Sequence, residues 1–333
     1  MTPHGYIAVN AVHGNSSEGN AVADNAARRP APDEKVAAAR LSLYSNIFLT
    51  GIKLAAGLLS GSVSVLSEAA HSASDLLASS IALVSVRVAN LPPDEEHPYG
   101  HGKAESLSTL AEAVLLLFAA AWIIYEAITR LVAGAGPRRL GWGIAVMAIS
   151  AVVNLLVVRT MFRVARQTDS LALHADAENH RADIYTAAGV LAGLVLVRIT
   201  RRSLFDPILA IGVSMLIVRA AWRLIWGALG PLMDTKLPRS DVDRVRKVLD
   251  SEPGVLGYHR LRTRKSGSVR HVDAHVQMDD DMTLREAHDL TERVEDRIRQ
   301  ELPNTEVTLH TEPYRAELRH QHENHGGPPP GNG

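Results

Sequence analysis

The chain has 333 residues, 35 basic and 36 acidic side chains for a net charge of −1, 15 histidines and no cysteine. The balanced charge gives no basic footprint for nucleic acid and no acidic tail. Without cysteine there are no disulfides or thiolate sites, so a transition metal must be held by imidazole, carboxylate, amide or water. That donor set suits zinc, manganese, iron(II), cobalt or nickel better than copper(I).

A mean hydropathy near zero conceals a split. Residues 38 to 232 hold nearly all the long apolar runs, and the ends are polar and charged. Residues 1 to 36 read as a disordered cytosolic tail, rich in Asn, Ala, Gly and Ser, with His4 and His13 solvated and no cleavable-signal pattern. Residues 37 to 233 then carry six runs of spanning length, at about 38–60, 62–89, 104–132, 139–167, 174–199 and 205–227. Ser60-Gly-Ser62, the 134–139 segment and the 201–204 segment separate them pairwise as short loops on one side. An even number of spans puts both termini on the other side. Arg28, Arg29, Lys35 and Arg40 before the first span, with Arg159, Arg163 and Arg166 after the fourth, favour cytosolic termini, against Arg138, Arg139, Arg198, Arg201 and Arg202 facing out. Gly57, Gly61, Gly189 and Gly193, at four-residue spacing, suit close helix contact.

Two polar pairs sit inside these runs. His71 and Asp75 are four apart and share a helix face, as do Asn179 and Asp183 about a hundred residues later. Ionisable groups at bilayer depth are costly unless hydrated, paired or metal-bound, which marks them as functional. Two such helices bring four ligands to one divalent ion. Asp176 and His180, also four apart, offer a second register on the fifth span, and Glu68 is a further intramembrane carboxylate, a proton relay or an interfacial partner of an arginine.

Between the second and third spans, Asp94, His97 and His101 in a Gly-containing loop can converge on a second ion, the alternative being a plain solvated loop. Beyond a hinge at 234–238 the pattern reads helix (239–251), strand (256–264), strand (269–278), helix (283–301), strand (305–312), an αββαβ, metallochaperone-like α+β unit spanning 234–314. In the middle strand Val272, Ala274, Val276 and Met278 alternate with His271, Asp273, His275 and Gln277, giving one core face and one histidine-bearing face. With His259, His288, His310 and Glu312 that face either holds one or two ions or is a surface rich in histidine. Residues 315 to 333, with His320, His322 and His325, read as a disordered low-complexity tail.

Over about residues 38 to 314 the chain resembles the cation diffusion facilitator family. The resemblance rests on His71-x-x-x-Asp75, Asn179-x-x-x-Asp183 and His97-Pro-Tyr-Gly-His-Gly-Lys-Ala-Glu105 in this order and spacing. It implies a homodimer in the cell membrane that exchanges a cytosolic divalent cation for protons. It further implies a transport site of His71, Asp75, Asn179 and Asp183 and a loop site of Asp94, His97 and His101. In the cytosolic domain it implies a regulatory cluster of His259, His275, His288, His310 and Glu312, and near the dimer interface a charge interlock of Lys103 with Asp234. Asn179 departs from the His or Asp of zinc-transporting relatives; one imidazole and three oxygens favour manganese, iron(II), cobalt or nickel over zinc. Glu312, where Asp is commoner, and the extra His271 leave the stoichiometry of the cluster open. Homeostasis of a single non-zinc ion is an alternative within the family. Outside it stand a membrane-anchored metal sensor, a passive channel and a membrane metallohydrolase, the last disfavoured by the absence of a nucleophile motif beside the ligands.

Overall fold

A computed structural model describes residues 32–60, 63–133, 141–200 and 204–315. Residues 32–36, expected as the end of a disordered tail, instead form the start of a helix with Lys35 buried in it. The rest of the expected N-terminal tail, the C-terminal tail beyond residue 315, the tail histidines, Arg28, Arg29, Gly61, Arg138, Arg139, Arg201 and Arg202 lie outside the described residues, as do the side chains of Gly57, Glu68, Gly193 and Arg198.

Six long helices follow one another: α1 (Pro32–Ser60), α2 (Val63–Ala89), α3 (Lys103–Ala133), α4 (Gly141–Thr168), α5 (Leu171–Thr200) and α6 (Phe205–Leu232). Parts of α2, α3, α4 and α6 are long and apolar enough to cross a membrane on hydropathy alone. α1 carries Lys35 and Lys53, and α5 carries His174, Asp176, Glu178, His180, Arg181 and Asp183 in its first four turns. All six form the transmembrane unit. Large apolar side chains such as Phe118, Trp122, Leu156 and Trp222 point outward, as lipid requires, while small ones meet inside: Ala113, Ala120 and Ala221 between α3 and α6, Ala39, Ala165 and Ala172 among α1, α4 and α5. At Gly189 an added Cβ would come 2.6 Å from the Val213 side chain, so the expected close helix contact is made there, between α5 and α6.

The chain leaves the membrane at Asp234, which adopts φ 52° as Thr235 N–H closes onto Gly230 C=O and ends α6. The cytosolic unit is α7 (Arg239–Ser251), β1 (Gly257–Ser266), β2 (Val269–Met278), α8 (Leu284–Glu301) and β3 (Thr305–Pro313), the expected αββαβ order with bounds within two residues of the sequence reading. Strand order is β1-β2-β3, with β1 antiparallel and β3 parallel to the central β2. Val272, Ala274, Val276 and Met278 are all buried, and Val272, Val276 and Met278 pack with Val245, Leu249, Leu290, Val294 and Ile298 of the two helices. Thr283 caps α8 in a reciprocal box with Glu286. A bulge between His259 and Arg262, with Arg260 at φ 53°, sets His259 opposite His275.

The two units are locked together at the membrane surface. A Cβ on Gly102 would lie 2.6 Å from the Ser266 carbonyl oxygen, in backbone contact with the β1–β2 turn, where Gly267 takes φ 58°. Beside it Tyr99 stands edge-on to His271, with ring centroids 5.8 Å apart, and Arg264 lies 4.5 Å over the Tyr99 ring.

Candidate metal centres

His71 and Asp75 lie one turn apart on α2, and α5 brings Asp183 to them: one ligand atom of each falls within 4.8 Å of the others. His71 Nε2 is 3.8 Å from Asp183 Oδ1. Asn179 stands one turn before Asp183 and its amide N–H donates to Asp75 Oδ1 at 3.3 Å. The four expected residues thus meet at one place in the transmembrane unit, with the Asn179 amide turned nitrogen-first toward the carboxylate; a cation would be met by its oxygen, which requires a flip of that amide.

Asp176 and His180, the second register, do not join this group. His180 lies between Ser42 Oγ (2.8 Å, at Nε2) and Asn154 Oδ1 (3.0 Å, at Nδ1), while Asp176 accepts from Ser79 Oγ at 2.8 Å. Asn154 also donates to Asp183 Oδ2 at 3.1 Å. The sequence reading missed this ring of neutral polar groups, and it missed Lys53, which is buried on α1 and donates to Ser72 Oγ at 2.7 Å, one residue from His71. The signal was available for Lys53: a lysine inside an apolar run follows the same rule that singled out His71.

The loop cluster forms as expected. Asp94 Oδ1 lies 3.1 Å from His97 Nδ1 and Asp94 Oδ2 lies 3.3 Å from His101 Nε2. The His97 backbone N–H bonding to Asp94 holds that carboxyl below its ordinary range, so it is ionised and ready as a ligand at neutral pH. Lys103 Nζ reaches Asp234 at 2.9 Å, so the expected interlock pairs within one chain, with Arg264 3.6 Å from the same carboxylate. The Lys103 hydrogen bond, followed by the charges of Lys103 and Arg264, lowers Asp234 despite opposing desolvation.

On the cytosolic sheet the parity of β2 and β3 gathers three residues. Glu312 offers Oε2 to His259 Nε2 at 2.7 Å and Oε1 to His275 Nδ1 at 2.5 Å. Desolvation works to raise Glu312, but the two imidazole hydrogen bonds outweigh it and the carboxyl titrates low. His310 meets His275 in a tilted ring contact, with centroids 4.7 Å apart, and lies 3.7 Å from Glu312. His288 stands apart on α8, exposed and 3.2 Å from Glu292. His271 is held away from the cluster as well, buried under Tyr99 with Nδ1 3.2 Å from Glu306. Two imidazoles and a bridging carboxylate are a donor set that fits a divalent ion.

A membrane bundle with an imidazole–carboxylate cluster between its helices, a second cluster at its cytosolic surface and a third on a small α+β domain defines a transporter of divalent cations rather than an enzyme. Residues 39–233 match the cation efflux transmembrane domain and residues 237–314 the cytoplasmic domain of cation efflux proteins. The cation-efflux pump FieF of Citrobacter koseri is 34% identical over 262 residues, covering 79% of this chain and 87% of that protein. FieF of Salmonella typhimurium is 33% identical, covering 84% and 92%. An uncharacterized transporter of Synechocystis, sll1263, is 31% identical, covering 85% and 91%. Among solved structures, the metal-bound C-terminal domain of the CzcD transporter from Thermotoga maritima is 28% identical and covers 23% of this chain and 94% of its own, with a TM-score of 0.22. The chain belongs to the cation efflux, or cation diffusion facilitator, family and is a multi-pass membrane transporter of metal cations.

Proposed function

We propose that the protein exports a divalent transition-metal cation from the cytosol in exchange for protons, as a homodimer with both termini cytosolic. The observation that carries this reading is the meeting of His71, Asp75 and Asp183 within 4.8 Å on two membrane helices, with Asn179 beside them. Two carboxylates and a neutral imidazole bind a divalent ion when deprotonated, and take protons when it leaves. Competition for the same lone pairs is sufficient coupling, and His71 is the principal proton carrier. Asn179 contributes a neutral oxygen, which favours manganese, iron(II), cobalt or nickel over zinc. The loop cluster and the His259, His275, His310 and Glu312 cluster act as regulatory sites, with His288 entering only from the dimer arrangement.

Purified protein in proteoliposomes with an imposed pH gradient, offered zinc, manganese, iron(II), cobalt and nickel in parallel, tests this directly. Gradient-driven uptake of one or two ions, lost in Asp183→Asn, is expected. Metal binding without gradient-dependent flux of any ion would instead favour a membrane-anchored sensor.

A further inference from the structure

Glu112 lies in the third turn of α3 and is 1% exposed, with neither carboxyl oxygen hydrogen-bonded. Asp176 on α5, fully buried, is the charged group that acts on it, and Asp176 Oδ2 also lacks a hydrogen-bond partner. His180, one turn beyond Asp176 on α5 and bonded to Ser42, is the other titratable group of this network; Ser42 and Asn46 from α1, Ser79 from α2, and Ile217, Ala221 and Leu224 of α6 are neutral or apolar. Glu112 and Asp176 adjoin Ala113 and Ala175, which belong to one buried cluster between the helices. Two unneutralised carboxylates buried there cannot both stay ionised cheaply, and a proton on one of them removes the repulsion.

The hydrogen-bond network that ends at Asp176 has a place for an added proton as well. Asp183, Asn154, His180, Ser42, Ser79 and Asp176 form a chain of five links, at 3.1, 3.0, 2.8, 2.8 and 2.8 Å. Each link needs one hydrogen. Asn154, a neutral His180, Ser42 and Ser79 supply one each, four in all, whichever way the Asn154 amide is turned. With both terminal carboxylates ionised and His180 neutral the chain is one hydrogen short; a proton on Asp176 Oδ1 supplies it, with Ser79 then donating to Ser42 and Ser42 to His180.

We propose that Glu112 and Asp176 form a second intramembrane protonation site, joined to the metal site through this chain, and that it carries one of the protons exchanged for each metal ion. The proposal rests on the antiport reading above. Asp176 and Asp183 are two helical turns apart on α5, about 10 Å, close enough in a low-dielectric interior for a bound divalent ion to favour ionisation of the pair. On metal binding the acid O–H bond breaks and the proton goes to water; on metal release a proton from the opposite side restores it. Nothing is oxidised or reduced.

Glu112→Gln, which keeps the shape of the neutral acid, tests the proposal in the full-length protein, and Asp176→Asn repeats the test from the other helix. With the membrane potential clamped at zero and the best-transported metal of the five as probe, the pH step that halts a tenfold metal gradient reports the proton count. Loss of one proton from two moves that step from about 0.5 to about 1 pH unit, since a tenfold ratio and one pH unit are equal in free energy. Both variants are expected to keep metal flux and show this shift; flux with an unchanged step overturns the proposal. If the wild type shows no proton dependence, the antiport reading fails. The pair itself is still judged by infrared difference spectra: a buried carboxylic-acid band that vanishes in Glu112→Gln supports the protonated pair, and its absence from the wild type overturns it.

Discussion

Gly102 separates a ligand of the loop cluster, His101, from the interlock residue Lys103, and it touches the cytosolic domain backbone to backbone. Gly102→Ala would place a methyl 2.6 Å from the Ser266 carbonyl oxygen, 2.7 Å from its carbon and 2.9 Å from Gly267 N. None of these atoms belongs to a side chain that can turn aside, so the loop and the β1–β2 turn must separate by several tenths of an ångström. Overpacking of this kind costs about 1–3 kcal/mol, which lowers the docking equilibrium constant by roughly 5- to 150-fold. The Tyr99–His271 and Arg264–Tyr99 contacts should loosen with it, so hydrogen exchange in detergent should quicken over 97–103 and 264–271 while the α3–α6 interface keeps its protection. Gly51→Ala is the matched control, because nothing lies within 4 Å of its Cβ and the change favours the helix. Unchanged exchange in Gly102→Ala, with transport equal to wild type, would refute the idea that this contact locks the two units.

Lys35→Met should destabilise the protein by about 3–5 kcal/mol, because it strips the buried Glu105 carboxylate of its cation at 3.0 Å; Lys35→Met with Glu105→Gln should recover most of that in thermal unfolding, and no recovery would mean the pair is not the cause. Glu312→Ala should weaken metal-dependent tightening of the dimer by at least about tenfold, the lower bound of what even outer-shell partners of a metal contribute; analytical ultracentrifugation across a metal titration reads it, and an unshifted midpoint would remove the cluster from regulation. Burial holds His271 below its ordinary value, so the folded state resists its protonation while the unfolded chain does not. Its docking is therefore fully present above about 6.5 and lost as pH falls from there toward the lowered folded value. Protection factors at 97–103, taken against the intrinsic exchange rate at each pH, should fall as pH drops from about 7.5 to about 5.5 in the wild type and lose that dependence in His271→Gln.

Much of the architecture was legible because it rests on periodicities that tertiary packing does not override. The six apolar runs became six helices, and the alternation from His271 to Met278 fixed the face of β2 that packs on α7 and α8. Three of the four expected transport residues also converge as ionisable ligands, since i, i+4 spacing alone puts each pair on one face. What stayed hidden depends on partners distant in sequence. Lys35, read as an interfacial cation, is buried against Glu105, which also accepts from Ser170 Oγ and Leu171 N–H at the start of α5. His271, read as one more histidine on an open face, is covered by Tyr99, a residue 172 positions earlier. Ser42, Ser79 and Asn154 gave no signal at all, because a serine or asparagine in a membrane helix is unremarkable until its partner is known.

The contacts that sequence could not give also set how cytosolic metal can influence transport. Helix α2 carries His71 and Asp75 and runs directly into the loop that holds Asp94, His97 and His101; that loop rests on β1 and β2, and β2 carries His275 four residues beyond His271. Lys35 at the start of α1 binds Glu105 at the start of α3 and lies 3.5 Å from Ser268 in the β1–β2 turn, so the same turn touches the cytosolic ends of two more helices. A metal at the His259, His275 and Glu312 cluster can bias the membrane site only if it favours one of two positions of this turn, because a ligand shifts an equilibrium by no more than its difference in affinity for the two states. The turn meets the loop through Gly102 and Gly267, where backbone packs on backbone and compliance is small. Motion of the cytosolic domain therefore has to carry the loop, and the α2 carboxylate behind it, or else break the contact. Metal control of transport that survives Gly102→Ala would have to reach the site by another route.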